Sequence, residues 1–218
     1  TAEKLGNDST MTGGAYDFEG ATTSLTRKLM SSPKKVTLVR HGLSSWNEES
    51  RVKGSSNLSV LTETGVKQAE RCRMALSNIS YDQCFSSPIS RAKSTAEVIW
   101  EGRDEPLVFL DSLKEAHLFF LEGMKNGLHL ELLLCNGENF LVVTHKSMLR
   151  GLICTVVLRI TSYRYKFQPS LCFWWYRFRA IDINNGGISV FNFNKRGEAT
   201  LQSLNMTAHM YSDHIYLF

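Results

Sequence analysis

Two short apolar runs, Val36-Thr-Leu-Val39 and Phe140-Leu-Val-Val-Thr144, each stop on a histidine: His41, set between Arg40 and Gly42, and His145. Brief, continuous β-branched runs suit strands buried on both faces, as in a parallel sheet covered by helices. The first strand is predicted over Lys35 to Val39 and the later one over Phe140 to Thr144. Between them the pattern changes to helical spacing. Leu61-Thr-Glu-Thr-Gly-Val opens a helix with Thr62 as N-cap, and Val66, Ala69, Cys72 or Arg73, Leu76 and Ile79 form its apolar stripe. Tyr81 to Ser87 reads as a strand. Ser87-Pro88 then starts a helix with Arg91 near its first turn and Ala92, Ala96, Ile99 and Trp100 facing inward. Leu107 to Leu110 is a further short strand and Lys146 to Val157 a helix. Ile188 to Asn194 and Thr200 to Asn205 are late strands joined by a hairpin turn at Lys195-Arg-Gly-Glu. Strands alternating with helices, then a hairpin, predict an α/β fold: a three-layer αβα sandwich whose sheet is mostly parallel with an antiparallel edge.

In open α/β sheets ligands sit outside the carboxyl ends of the strands. That rule gathers Arg40 and His41, Ser86 and Ser87 with Arg91 just beyond, and His145 on one rim. Two guanidiniums and two imidazoles in one crevice call for an anion, and the planar fork of arginine matches phosphate oxygens. Backbone N–H groups at the start of the helix carrying Arg91 would add donors. A neutral imidazole is a nucleophile toward phosphorus, and neighbouring cations keep it unprotonated. Each residue alone is a weak signal, because a lone histidine at a strand end is more often structural. Glu115, just past the Leu107 to Leu110 strand, has two readings: a carboxylate pairing with Lys114, or a member of the same site.

Composition sets the outer bounds. The 218 residues, 43% hydrophobic and 21% charged, suit one domain (34–218) preceded by a flexible arm (1–33) rich in Gly, Ser, Thr and Asp. The start at Thr1 points to a processed or truncated N-terminus, and Glu3, Asp8, Asp17 and Glu19 speak against a targeting peptide in residues 1–32. Seven of the 25 Lys and Arg residues lie in 139–181 and none of the 21 Asp and Glu do, so the net charge of +4 is a local excess. A global nucleic-acid binder is not supported, and no apolar run is long enough for a membrane span. Five scattered cysteines without a CxxC pair read as buried or idle thiols.

Five motifs then occur in order: Arg40-His41-Gly42 with Asn47; Leu61-Thr-x-x-Gly65-x-x-Gln68-Ala; Ser87-Pro-x-x-Arg91-Ala-x-x-Thr95-Ala; Glu115 with Glu122-Gly123; and Val142-Val-Thr-His145. This series resembles the histidine phosphatase superfamily, which includes the phosphoglycerate mutases. With Asn184-Asn-Gly-Gly187 and the tail from Asn205 to His214, it is more particularly similar to plant 2-carboxy-D-arabinitol-1-phosphatase-like proteins. The resemblance implies a phosphoglycerate mutase-like fold and hydrolysis of a small sugar-acid phosphate monoester through a phosphohistidine. It implies that His41 attacks, that Arg40, Arg91 and His145 hold the phosphoryl oxygens, that Asn47 contacts the phosphate, and that Glu115 protonates the leaving alkoxide. The expected partner is a small phosphorylated sugar acid, with no metal, cofactor, nucleic acid or membrane, in a chloroplast. His209 and His214 are expected to pack. Two alternatives stay open: phosphoglycerate mutase-type transfer, and an inactive isoform keeping only a phospho-ligand pocket. Against the family pattern, the lid region (124–139) is shortened, and residues 156–176 form an insertion of basic and aromatic residues. The insertion has three readings: a variant transcript that skipped lid exons and read through an intron, which is the favoured one, a functional packing insert, and a segment that recognises nucleic acid or lipid.

Overall fold

A computed structural model of the chain describes residues 30–51, 56–115, 136–153, 180–196 and 198–211. The predicted arm up to residue 29, most of the shortened lid, the 156–176 insertion and His214 lie outside the described residues. Six strands make one sheet: β1 (Lys34–Arg40), β2 (Gln83–Ser86), β3 (Leu107–Phe109), β4 (Asn139–Thr144), β5 (Ile188–Phe193) and β6 (Ala199–Met206), in the order β3-β2-β4-β1-β5-β6. The strands β3, β2, β4 and β1 pair in parallel, while β5 runs antiparallel to both β1 and β6. The sheet is therefore mixed, with the predicted hairpin supplying its antiparallel side.

Alternation along β1 divides the core into two layers of apolar contact. Val36 and Leu38 point to one side, where they pack with Phe140, Val142, Phe191 and with Met148, Leu149 and Ile153 from a helix over 146–153. Val39 points to the other side, toward α2 (Glu63–Leu76) and α3 (Ser90–Trp100), joining Cys72, Leu76, Ala92, Ala96, Ile99 and Trp100. Burying each such Leu, Ile or Phe side chain stabilises the fold by about 1.5–3 kcal/mol. Helices on both faces of one sheet give an α/β sandwich. A shorter helix, α1 (Ser45–Glu48), follows the end of β1. No helix among the described residues is long and apolar enough to cross a membrane.

Several boundaries differ from the sequence expectation. The helix α2 has Thr62 as its N-cap, accepting the Gly65 N–H at 3.2 Å, but its buried face runs through Gly65, Ala69, Cys72, Ala75 and Leu76. Val66 is consequently exposed, because Gly65 takes the inward position against the chain that follows β1. The helix α3 begins at Ser90 rather than at Pro88, because the Ser87 hydroxyl accepts the Ile89 N–H at 3.3 Å and closes a turn there first. Met30, inside the predicted arm, is buried and donates its N–H to the Lys195 carbonyl at 2.9 Å. Cys72 and Cys84 are buried free thiols.

The turn after β1 and the first turn of α2 touch backbone to backbone. A Cβ added at Gly42 would lie within 3.0 Å of the Gly65 carbonyl oxygen, and one added at Gly65 within 3.0 Å of the Leu43 carbonyl oxygen. Helix propensity favours Gly65→Ala by at most about 1 kcal/mol. Overpacking against a backbone atom opposes it with about 1–3 kcal/mol or more. The Gly65→Ala protein is expected to be destabilised by about 1–2 kcal/mol in urea unfolding, the steric cost outweighing the propensity; a stabilised variant would show that the crossing is loose.

Candidate active site

The carboxyl ends of three neighbouring strands meet at one rim. The β1–β4 register places Arg40 beside Thr144, so His41 and His145 follow at the same level, and the β4–β2 register places Ser86 beside Val143, with Ser87 next. The His41 and His145 rings stand edge to face, 5.2 Å between centroids and inclined by 61°. Both imidazoles are buried, as are Arg40 and Arg91.

His41 is held by its own neighbour. Its Nδ1 lies 2.7 Å from the Gly42 carbonyl oxygen. A carbonyl only accepts, so Nδ1 carries the proton and the lone pair resides on Nε2. Burial, the charges of His145, Arg40 and Arg91 lower the His41 pKa well below the ordinary histidine value, with only the Gly42 hydrogen bond opposing. The ring is thus a neutral base with one defined nucleophilic nitrogen.

The cations around it are fixed from below. Arg40 Nη1 donates to the Ile183 carbonyl at 2.5 Å, and burial lowers the Arg40 pKa to about 10, which leaves it charged at neutral pH. Arg91 is fully buried and donates through Nη1 to the Ser56 carbonyl at 3.1 Å and through Nη2 to Glu115 Oε2 at 2.5 Å. Burial lowers the Arg91 pKa and the Glu115 carboxylate works against that shift. Glu115 therefore pairs with Arg91, and the reading that joined it to Lys114 gives way: Lys114 reaches Asp111 at 2.8 Å instead. The Thr144 hydroxyl donates to the Leu113 carbonyl at 2.9 Å, tying the segment that carries Glu115 to the end of β4. Ser87 Oγ lies 2.9 Å from His145 Nε2 and fixes that edge of the ring.

Asn47 sits close to the site, yet its Oδ1 accepts the Ser44 hydroxyl at 2.7 Å and the Ser44 N–H at 3.3 Å, holding the first turn of α1. Only its amide nitrogen remains for a ligand. The backbone donors expected at the start of α3 are also partly engaged: Ile89 N–H goes to Ser87 Oγ and Ser90 N–H to Asn57 Oδ1 at 3.1 Å. Arg91 itself, rather than the helix terminus, is the cation that α3 brings to the rim.

Three residues without an assigned role in the sequence, Gln68, Thr95 and Asn185, organise the site together with the N-cap Thr62. Gln68 Oε1 accepts the Leu43 N–H at 2.8 Å, and Thr62 donates its N–H to the Leu43 carbonyl at 3.0 Å. Thr95 Oγ1 accepts the Gly42 N–H at 3.1 Å and donates to the Arg91 carbonyl at 2.7 Å, so one hydroxyl joins the loop after His41 to the helix of Arg91. Asn185 Nδ2 donates to the His41 and Gly42 carbonyls, both at 3.0 Å. Gln68 and Thr95 stand inside the motifs quoted above, which is the signal that marks them; their partners lie 25 and 53 residues away in the chain. Among the described residues no three His, Cys, Asp or Glu gather in a way that could hold a metal ion.

The depressed His41 pKa links stability to pH. Below the ordinary histidine value near 6.5, an unfolded His41 takes up a proton and the folded one does not, so stability falls as pH drops through that value and is level above it. In His41→Gln the loss between pH 7.5 and 5.5 should be smaller than in the wild type, by up to about 1.4 kcal/mol per pH unit below 6.5. Urea midpoints at the two pH values measure it, and identical losses would mean that His41 protonates freely when folded.

Residues 36–131 match the model of the histidine phosphatase superfamily (branch 1). A 2-carboxy-D-arabinitol-1-phosphatase of Triticum aestivum is 45% identical over 95 residues, 44% of this chain and 19% of that protein, so the chain matches only about a fifth of its plant relative. Among solved structures, phosphoserine phosphatase from Entamoeba histolytica, in complex with 3-phosphoglyceric acid, superposes with a TM-score of 0.60 at 22% identity, covering 81% of this chain and 99% of that one. Phosphoglycerate mutase from Bacillus anthracis superposes with a TM-score of 0.65 at 18% identity, covering 82% and 96%. These likenesses establish the fold. Over residues 36–131, less than half of the chain, the sequence is similar to the histidine phosphatase superfamily, and His41, Arg91 and Glu115 lie within this stretch.

Proposed function

We propose that this protein is a phosphomonoesterase that hydrolyses a small sugar-acid phosphate, of the 2-carboxy-D-arabinitol 1-phosphate kind, through a phosphohistidine on His41. The observation that carries the reading is the His41 ring: neutral, with Nδ1 tied to the Gly42 carbonyl, and set among His145, Arg40 and Arg91. Its Nε2 lone pair attacks phosphorus, the bond from phosphorus to the ester oxygen breaks, and the leaving oxygen takes a proton from the Glu115 carboxyl. Water then attacks phosphorus while giving a proton to the Glu115 carboxylate, the phosphorus–nitrogen bond breaks, and inorganic phosphate leaves with His41 restored. Arg40, Arg91 and His145 neutralise charge on the three equatorial oxygens, which is where it accumulates in a loose phosphoryl-transfer transition state. The amide nitrogen of Asn47 is the group it could add.

The Arg91–Glu115 pair links binding to acid catalysis. An arriving phosphate competes with Glu115 for the buried guanidinium. As the phosphate takes over that charge, the Glu115 carboxyl is freed to serve the leaving oxygen as general acid. The likeness to the wheat phosphatase supports a sugar-acid substrate, and a chloroplast location belongs to the same reading.

The test is phosphate release from a panel of sugar-acid monophosphates, run beside p-nitrophenyl phosphate. Turnover by the wild type that disappears in His41→Ala is the expected result. Glu115→Gln should slow the sugar phosphates by about 100-fold or more and p-nitrophenyl phosphate far less, because a phenolate leaves without a proton. Turnover that survives His41→Ala would rule out the phosphohistidine route.

A further inference from the structure

The nucleophile's tautomer depends on the direction of one carbonyl, that of Gly42, and that carbonyl is held by a residue far along the chain. Asn185 lies in the turn between the helix-side layer and β5, and both of its partners are acceptors, the carbonyl oxygens of His41 and Gly42 at 3.0 Å. Its amide nitrogen must therefore face them. The Gly42 oxygen then has both lone pairs in use, one for His41 Nδ1–H and one for Asn185. With two successive carbonyls bound to one side chain, neither peptide can rotate without breaking a hydrogen bond.

The turn carrying Asn185 is itself pinned on every side. Asn184 donates its N–H to Asn205 Oδ1 at 2.9 Å. Gly186 donates its N–H to the Arg40 carbonyl at 3.0 Å, and Arg40 donates its own N–H to the Gly187 carbonyl at 3.2 Å. The Gly186 carbonyl faces the Cys72 thiol at 3.3 Å and His209 Nε2 at 3.1 Å. Gly186 has φ of +68°, a conformation open to glycine, and a Cβ there would strike Met210. The turn is a rigid block between the β1 end and the tail around His209. A side chain presented from such a block fixes what it touches.

We infer that Asn185 is a positioning residue for phosphoryl transfer: by holding the Gly42 carbonyl against His41 Nδ1, it keeps the nucleophilic lone pair on Nε2. The inference deepens the phosphatase reading and rests on it for its kinetic consequence, whereas its structural content stands apart from activity. A residue that merely braced the turn would change stability and leave the imidazole as it was.

The experiment is ¹⁵N NMR of histidine-labelled protein, with His41→Ala used to assign the His41 ring signals. In the wild type at neutral pH, Nδ1 should show the shift of a protonated nitrogen and Nε2 that of a bare one. In Asn185→Ala and in Asn185→Asp, which keeps the shape and removes the donors, the two shifts should converge as the other tautomer becomes populated. Phosphate release by the same proteins should show kcat lower by about tenfold, as is usual when a partner orienting a functional histidine is lost, with KM little changed. Either variant, folded by its backbone spectrum and showing the wild-type His41 shifts, would overturn the inference. If the wild type releases no phosphate, the phosphatase reading fails while the shifts still decide the role of Asn185.

Discussion

The hydrogen bond from His41 Nδ1 to the Gly42 carbonyl is the contact on which the site depends. It exists because the chain after β1 turns back at once, and the turn is possible because two backbones meet without side chains between them, at Gly42 and Gly65. Each end of that crossing is then fastened: Gln68 and Thr62 to Leu43, Thr95 to Gly42, Asn185 to the carbonyls of His41 and Gly42. The motif around Gly65 thus holds the loop that carries His41. A nucleophile on a loop becomes as well defined as one on a strand when its backbone groups have partners on all sides.

Electrostatics is the second constraint. Burying two guanidiniums with two imidazoles disfavours every added proton, and this keeps His41 neutral. It also makes the empty site costly. Glu115 offsets part of that cost by pairing with Arg91; removing one partner of a buried pair typically costs about 3–5 kcal/mol, and the partial exposure of Glu115 places this pair toward the lower end. Asp182 serves Arg40 and Arg150 similarly from the solvent side, where its bond to Lys146 chiefly lowers its own pKa.

The fold was largely legible from the chain because its strands are short β-branched runs and its helices have clear apolar spacing. The rim was legible for the same reason: strands of a parallel sheet end together, so His41, His145 and Ser87 had to be neighbours once the sheet was drawn. What could not be read was which polar side chains cross between segments. Gln68, Thr95 and Asn185 act on residues 25, 53 and more than 140 positions away, and no local pattern encodes such pairs. The inward position of Gly65 was missed because a glycine carries no hydrophobic signal; Val66 drew the apolar stripe one residue too far. Asn57 likewise accepts the first N–H of α3 from 33 positions away.

The central claim is that the fold presents one nitrogen of His41, Nε2, to phosphorus. The measurement that tests it most directly is the position of phosphate on the protein after rapid quenching in alkali during turnover, read by ³¹P NMR and by fragmentation of the His41 peptide. Phosphate bonded to Nε2 of His41 is the predicted result. Phosphate on Nδ1, on another residue, or absent from a protein that is turning over would contradict it.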